Sequence, residues 1–296
     1  MEVSAIELAL RQQIMLSLED RVRRNGGVIS RKELSAFEVS GQVHRLIDVA
    51  KGIWNPRDMA VTLSIVSTPR GPYDDEEVED GLLRYRYREG STAGDNSKLR
   101  AAADTGVPLI LLRWIDDGLY VPVFPVFVVA DIPATRSVMV ALDESLRFIA
   151  KVEHPTDDQR RYVERIAKVR LHQPEFRGRV LVAYRRQCSI CELKHPELLD
   201  AAHIVADGEP LGQPIVVNGL SLCKLHHAAY DQNFMGIDPN SKVHINRSLL
   251  EETDGPMLRH GLQEMHGRIL DLPARRADRP DKGRLAIRFD EFRNAG

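Results

Sequence analysis

Residues 188–231, CSICELKHPELLDAAHIVADGEPLGQPIVVNGLSLCKLHHAAYD, contain every cysteine of the chain. Cys188 and Cys191 form a CxxC pair, and Cys223 with His226 forms a CxxH pair further along. Thiolate and imidazole are the ligands that tetrahedral Zn²⁺ prefers, and this Cys3His set leaves no cysteine over. The bland reading, three buried thiols, explains the CxxC but not the CxxH, so a structural zinc is the expectation. Between the pairs, Asp200-Ala-Ala-His203-Ile204 predicts a strand, with Asp200 and Ala202 on one face and His203 on the other. Asn218-Gly219 opens a loop into a helix that carries His226, His227 and Asp231. Four-residue spacing puts His227 and Asp231 on one helix face, where they can grip one ion together. His226 points about 100° away, toward the cysteines. One helix can therefore serve two metals. The chemistry such groups offer is proton abstraction from water by a neutral imidazole near pH 7, beside a hard cation that polarises a phosphate.

The motifs AHI, NGL and LCKLHH stand in the order and spacing of the HNH nuclease family, which residues 177–250 resemble. The resemblance implies a β-hairpin and a helix around one divalent metal, Mg²⁺ or Mn²⁺. It implies that His203 is the general base, that Asn218 positions the loop bearing it, and that His227 is the third member. Many enzymes of the family place an acidic or histidine ligand directly before the base, where this chain has Ala202. Asp200, on the same strand face, is the substitute, so the expected cation ligands are Asp200, His227 and Asp231. The zinc knuckle is expected to hold so small a fold rigid. His244, His260 and His266 read as ordinary surface or packing residues.

The elements around this segment must position it and bring it to a substrate. Residues 156–174 and the run EFRGRVLVAYRRQ predict two helices before the cysteines. Basic residues outnumber acidic ones ten to five over 151–190. Arg165, Arg170, Arg177, Arg179, Arg185 and Arg186 are candidates to track a DNA backbone, against the alternative of a solvated helix face. Further upstream, residues 2–24 predict an amphipathic helix with Ile6, Leu8, Leu10, Ile14, Leu16, Leu18 and Val22 as its apolar side, ended by Gly26-Gly27. Ser30-Arg31-Lys32-Glu33 predicts a capping box, and a further helix is expected around Gln42–Val49. Strands are expected at 61–67, 81–89, 107–115 and 119–132, with a short helix at 98–106. Pro122 and Pro125 mark an edge or a bend in the last strand. The closing RLAIRFDEFR reads as a strand or a helix.

The stretch from Tyr73 to Trp114 resembles an SRA domain, a PUA-like barrel that flips modified cytosine out of DNA. The features that carry it are Tyr73-Asp74-Asp75, Gly81, a tyrosine-bearing strand, a glycine-containing loop, Asn96, Leu99 and a strand led by Pro108. A flipped base needs aromatic faces about it and an acid to accept from cytosine N4. The resemblance implies a pocket of Tyr73, Asp75, Tyr85, Tyr87 and Asn96. The plain alternative is a β-barrel with edge tyrosines, its acidic loop 74–80 solvated. As a whole the chain resembles bacterial restriction endonucleases with a C-terminal HNH domain.

Length and composition agree with a folded, two-part protein. The chain has 296 residues, 43% hydrophobic and 28% charged, enough for sizeable cores. Lys plus Arg is 41 and Asp plus Glu is 43, for a net charge of −2, which excludes a uniformly basic nucleic-acid coat. No apolar run is long enough for a membrane span, and the first residues do not read as a signal peptide. A reducing, cytoplasmic setting suits the cysteines. The expected fold class is α+β. A helical head (1–52) would precede an SRA/PUA-like reader (53–150) and a zinc-stabilised ββα-metal HNH domain with its basic helices (151–296). Double-stranded DNA carrying 5-methyl- or 5-hydroxymethylcytosine is the expected partner, and two cuts favour a homodimer. The competing readings are a zinc-stabilised DNA binder without catalysis, favoured by Ala202, and a nuclease whose barrel senses another ligand such as phosphorothioate.

Overall fold

A computed structural model describes residues 2–68, 76–77, 82–86, 95–149 and 156–295. The chain divides into two compact units, Met1–Glu175 and Phe176–Gly296.

In the first unit, α1 (Ala5–Arg24) is followed by β1 (Ile29–Ser30), α2 (Arg31–Ser35), β2 (Phe37–Val39) and β3 (Gln42–His44). Next come β4 (Ile53–Trp54), β5 (Ser64–Ser67), β6 (Glu76–Glu77), β7 (Leu82–Arg86) and α3 (Asp95–Thr105). The unit closes with β8 (Leu109–Asp116), β9 (Leu119–Ile132), β10 (Ser137–Ala141), α4 (Leu146–Ile149), α5 (Asp157–Ala167) and a π-helical turn (Lys168–His172). One curled sheet runs in the order β4-β5-β8-β9-β10-β7-β6, with β1 added alongside β9. Its pairings are antiparallel except β5 with β8. β8 reads as an unbroken apolar run because both its faces are covered. Leu109 and Leu111 enter one core with Val126, Val138 and Leu99, while Ile110 and Leu112 enter a second with Ile14, Leu18 and Leu34. The bend foreseen at the prolines is a bulge. Leu109 pairs Val126 but Leu111 pairs Val123, so β9 carries an extra residue around Pro125 before leaving β8 for β10.

Two expectations about the head change. The capping box is present, Ser30 and Glu33 bonding each other's backbone, but the helix expected at 42–49 is not formed. Val39 pairs Gln42 across a two-residue turn in which Ser40 (φ 51°) and Gly41 (φ 79°) are left-handed, so β2 and β3 make a hairpin. The buried side of α1 is Glu7, Arg11, Ile14 and Leu18, while Ile6 is 82% exposed. Arg11 is wholly buried, and its guanidinium uses all five donors. Nε and Nη2 bond the Glu7 carboxylate at 3.0 and 2.8 Å, and the rest reach the carbonyls of Val61, Thr62 and Pro108 at 2.7–3.0 Å. Glu7 in turn accepts from the Ala60 amide at 2.8 Å. The head is thereby bonded into the same unit as the sheet.

The second unit is built from α6 (Gln173–Ala183), which begins just before it, then β11 (Leu199–His203), β12 (Gly219–Cys223), α7 (Lys224–Asp231), β13 (Met235–Ile237) and β14 (Val243–Ile245). Three helices follow, α8 (Arg247–Glu251), α9 (Pro256–Gly261) and α10 (Lys282–Ala295). The closing run, open between strand and helix in the sequence, is helix α10. Leu285, Arg288 and Phe292 form its buried side, and Phe292 packs where a side chain on Gly236 would stand. Core residues Phe176, Val180, Leu199, Leu220, Leu222, Tyr230, Met235 and Val243 join these elements around the β11–β12 hairpin. No helix among the described residues is long and apolar enough to cross a membrane.

Candidate active site and zinc centre

The short loop after α6 and the start of α7 bring the four expected zinc ligands together. One ligand atom from each of Cys188, Cys191, Cys223 and His226 lies within 4.8 Å of all the others. Cys188 Sγ and Cys223 Sγ stand 3.4 and 3.2 Å from His226 Nδ1, and Cys191 Sγ stands 4.0 Å from Cys223 Sγ. A tetrahedral zinc with bonds of about 2.3 Å to sulfur and 2.0 Å to nitrogen needs S···S near 3.8 Å and S···N near 3.5 Å. The observed spacings lie within about 0.3 Å of those values, so the residues fit the ion. The far side of the ring supports the same conclusion. His226 Nε2 donates to the Gly261 carbonyl at 2.8 Å, which fixes the tautomer and turns the Nδ1 lone pair toward the thiols. Hydrogen bonding within the cluster, chiefly with Cys191, favours the Cys188 thiolate.

Along β11, Leu199 and Ala202 are buried while Asp200, Ala201 and His203 are half-buried. His203 ends the strand, opposite Gly219, and its half-buried ring stacks on Phe176 with centroids 4.2 Å apart. A Cβ on Gly219 would lie 2.4 Å from Val180 Cγ2 and 3.0 Å from Phe176 Cζ. Glycine in the NGL motif therefore serves close packing, since it lets α6 lie against the hairpin and place Phe176 against the histidine. Asn218 is fully buried. Its Oδ1 accepts from the Val205 amide at 2.9 Å, and its Nδ2 donates to the Val205 and Gln213 carbonyls at 3.1 Å each. Both ends of the loop that follows His203 are thus tied by one amide side chain.

His227 lies between two carboxylates. Nδ1 is 3.2 Å from Asp200 Oδ2, and Nε2 is 3.3 Å from Asp231 Oδ2. Lys224 holds the other Asp200 oxygen at 2.5 Å. Burial opposes ionisation of Asp200, but the hydrogen bonds from Lys224 and His227 outweigh it and keep the carboxyl below the usual carboxylate range. The sequence reading grouped Asp200, His227 and Asp231 as ligands of one ion. Here the two acids face opposite nitrogens of the ring, because Asp200 approaches from the strand and Asp231 from the next turn of α7. Among the described residues only the zinc cluster gathers three or more ligand groups at one point.

The remaining expected site residues are placed differently. Arg177 donates to the Pro196 and Leu199 carbonyls at 2.9 and 2.8 Å, and burial pushes its pKa down. Arg170 pairs with Asp143 at 3.3 Å and bonds the Phe124 and Pro125 carbonyls. Arg185 pairs with Asp271 and bonds the Leu272 carbonyl. Each of the three braces its own unit. Tyr85 is a core residue, 5% exposed, whose hydroxyl donates to the Gly52 carbonyl at 3.0 Å, and Asn96 is buried. Neither presents an open face to a base. Tyr73, Asp75 and Tyr87 lie outside the described residues. His244 packs on Phe289 and meets Asp238, His266 accepts from the Ile245 amide, and His260 pairs with Glu264. Sequence reasoning missed Lys224 and Phe176, although LCKLHH contains the first and α6 the second.

Residues 188–238 match the HNH endonuclease family. Curated protein sequences give no match. Solved structures similar to the chain include the modification-dependent restriction endonuclease TagI, at 15% identity, covering 82% of this chain and 86% of that one, with a TM-score of 0.30. The SRA domain of SUVH5 in complex with hemi-methylated CG DNA is similar at 22% identity over 38% of this chain and 79% of that one, with a TM-score of 0.27. The phosphorothioation-dependent restriction endonuclease ScoMcrA is similar at 14% identity over 60% and 55%, with a TM-score of 0.22.

Proposed function

We propose that this chain, with an HNH endonuclease domain at residues 188–238, cuts double-stranded DNA by phosphodiester hydrolysis assisted by one Mg²⁺ or Mn²⁺. The observation that carries this reading is the imidazole of His227 between Asp200 and Asp231. With Nδ1–H donated to Asp200, the Nε2 lone pair faces the Asp231 carboxylate. Two acceptors 3.3 Å apart repel unless a proton or a metal cation joins them. On a six-coordinate ion with bonds of about 2.1 Å, neighbouring ligands stand about 3.0 Å apart, so His227 Nε2 and Asp231 fit as a ligand pair. Asp200 then orients the histidine from behind, with Lys224 as its anchor. Ala202 would add no ligand, so His227 and Asp231 would hold the cation from this chain. When bound, the cation polarises the phosphate and offsets charge on the leaving oxygen.

His203 takes the proton of the attacking water, its ring plane set by Phe176 and its loop held by Asn218. The zinc centre keeps the hairpin and α7 in register, through Cys223 at the end of β12 and His226 next to His227. The N-terminal unit directs cutting to modified cytosine. Support for this is the sequence pattern that ends in Asn96, Leu99 and the Pro108-led strand, now α3 and β8. A homodimer would supply the second cut.

Plasmids that are unmodified, 5-methylated or 5-hydroxymethylated, treated with Mg²⁺ or Mn²⁺, test the reading with a His203→Ala control. Cutting of one modified plasmid alone, lost in the control, is expected. Equal cutting of all three removes base reading from the N-terminal unit. No cutting by zinc-loaded protein overturns the nuclease assignment.

A further inference from the structure

Arg170, Arg177 and Arg185 are bonded within the fold, which turns attention to the other cations of the cutting domain. The segment RRADRPDKGR, residues 275–284, carries five basic and two acidic side chains and lies outside the residues matched to the HNH family. It straps the loop between His203 and Asn218. The Asp281 amide donates to the Val217 carbonyl at 2.9 Å, and Arg284 donates to the Leu211 carbonyl at 3.0 Å and to Gln213 Oε1 at 2.9 Å. Gln213 is in turn held by Asn218. The strap is therefore bonded to the same loop that Asn218 ties behind the candidate base. Arg284 is used in that attachment, and Asp281 accepts from the Arg284 amide at the start of α10. Arg275, Arg276, Arg279 and Lys282 are exposed.

We infer that the strap 275–284 is a surface that docks the DNA phosphate backbone, with Arg275, Arg276 and Lys282 as its contacts. The inference deepens the nuclease reading by naming where the cutting domain grips its substrate. Phosphate contacts fix register without reading sequence. Each contact also releases a counterion, so it appears as about 0.9 in the slope of log affinity against log salt.

The test measures binding of an unmodified duplex by the full chain in a His203→Ala background, by fluorescence anisotropy across a salt series. Replacing Arg275, Arg276 and Lys282 by Gln is expected to flatten the slope by roughly 2.7. A matched triple in the same unit, Arg247→Gln with Arg259→Gln and Arg293→Gln, removes the same charge and is expected to leave the slope within one contact of the parent. Arg276→Lys with Lys282→Arg is expected to keep the parent slope, and zinc content with thermal melting confirms folding of each protein. An unchanged slope in the strap variant, or an equal fall in the matched triple, overturns the inference. Because binding is read without cleavage, a chain that cuts no plasmid yet shows the flattened slope would defeat the nuclease reading and leave the docking surface standing.

Discussion

Asp200→Asn separates an orienting carboxylate from a metal ligand. Asp200 gives one oxygen to Lys224 and the other to His227. An amide of the same size has a single acceptor, so either Lys224 meets an NH2 group or His227 does. In the first case the strand loses its anchor, and in the second Nδ1–H loses its acceptor and the ring is free to turn away from Asp231. The wild-type carboxyl lies below the usual carboxylate range, so the substitution removes a full charge at neutral pH. Loss of an outer partner of this kind costs about 10–100-fold in metal affinity, or roughly 1.4–2.7 kcal/mol. Nicking rates of supercoiled plasmid are to be measured against Mn²⁺ concentration. The half-saturating concentration should rise by about 10–100-fold, with the rate at saturating metal within several-fold of wild type. Asp231→Asn should lose rate even at high metal. A collapse of the saturating rate in Asp200→Asn with an unchanged half-saturation would refute the reasoning, as would no effect on either quantity.

Other perturbations test the remaining links. His203→Ala should lower the cleavage rate by about 10²–10⁴-fold while duplex binding, read by anisotropy, stays intact. Protons compete with zinc for three thiolates and an imidazole, so zinc retained through a desalting column should fall as pH drops toward about 5, with loss of cleavage in parallel. Gly219→Ala drives a methyl group into Val180 and Phe176, and calorimetry should show a loss of about 1–3 kcal/mol together with slower cutting. Arg11→Ala leaves Glu7 buried without its partner and should cost about 3–5 kcal/mol in denaturant unfolding, whereas Glu7→Leu with Arg11→Met should cost far less.

The cluster of Cys188, Cys191, Cys223 and His226 was legible because its information is local: two short motifs fix ligand type and spacing, and the hairpin only has to bring them together. The division of labour between Asp200 and Asp231 was not, since it depends on which ring nitrogen each acid meets, and helix periodicity says nothing of that. The internal bonds of Arg170, Arg177 and Arg185 were not legible either, because their partners are mostly backbone carbonyls, which no pattern of side chains reveals. In α1 the apolar pattern found Leu10, Ile14, Leu18 and Val22, which pack on the core, but it also included Ile6, Leu8 and Leu16, which are exposed. The carbonyls of Val61, Thr62 and Pro108 make a polar socket for Arg11, so a charged stripe is buried while Ile6 and Leu16 face water. The β2–β3 hairpin could have been read from Ser40-Gly41, a pair suited to a left-handed turn, had the apolar residues that follow it carried less weight.

The Arg11 socket also governs how this protein can be taken apart. An N-terminal unit cut to begin at residue 53 keeps every strand from β4 onward, yet it loses the helix that covers Ile110 and Leu112. It also loses the β1 strand that pairs Leu119 and Tyr120. Such a fragment would present a wet apolar sheet face and an open strand edge, the two conditions for sticking to its own copies. Portability therefore begins at Ser4, the residue that caps α1. A transplant of this unit onto another protein would have to carry the whole head with it.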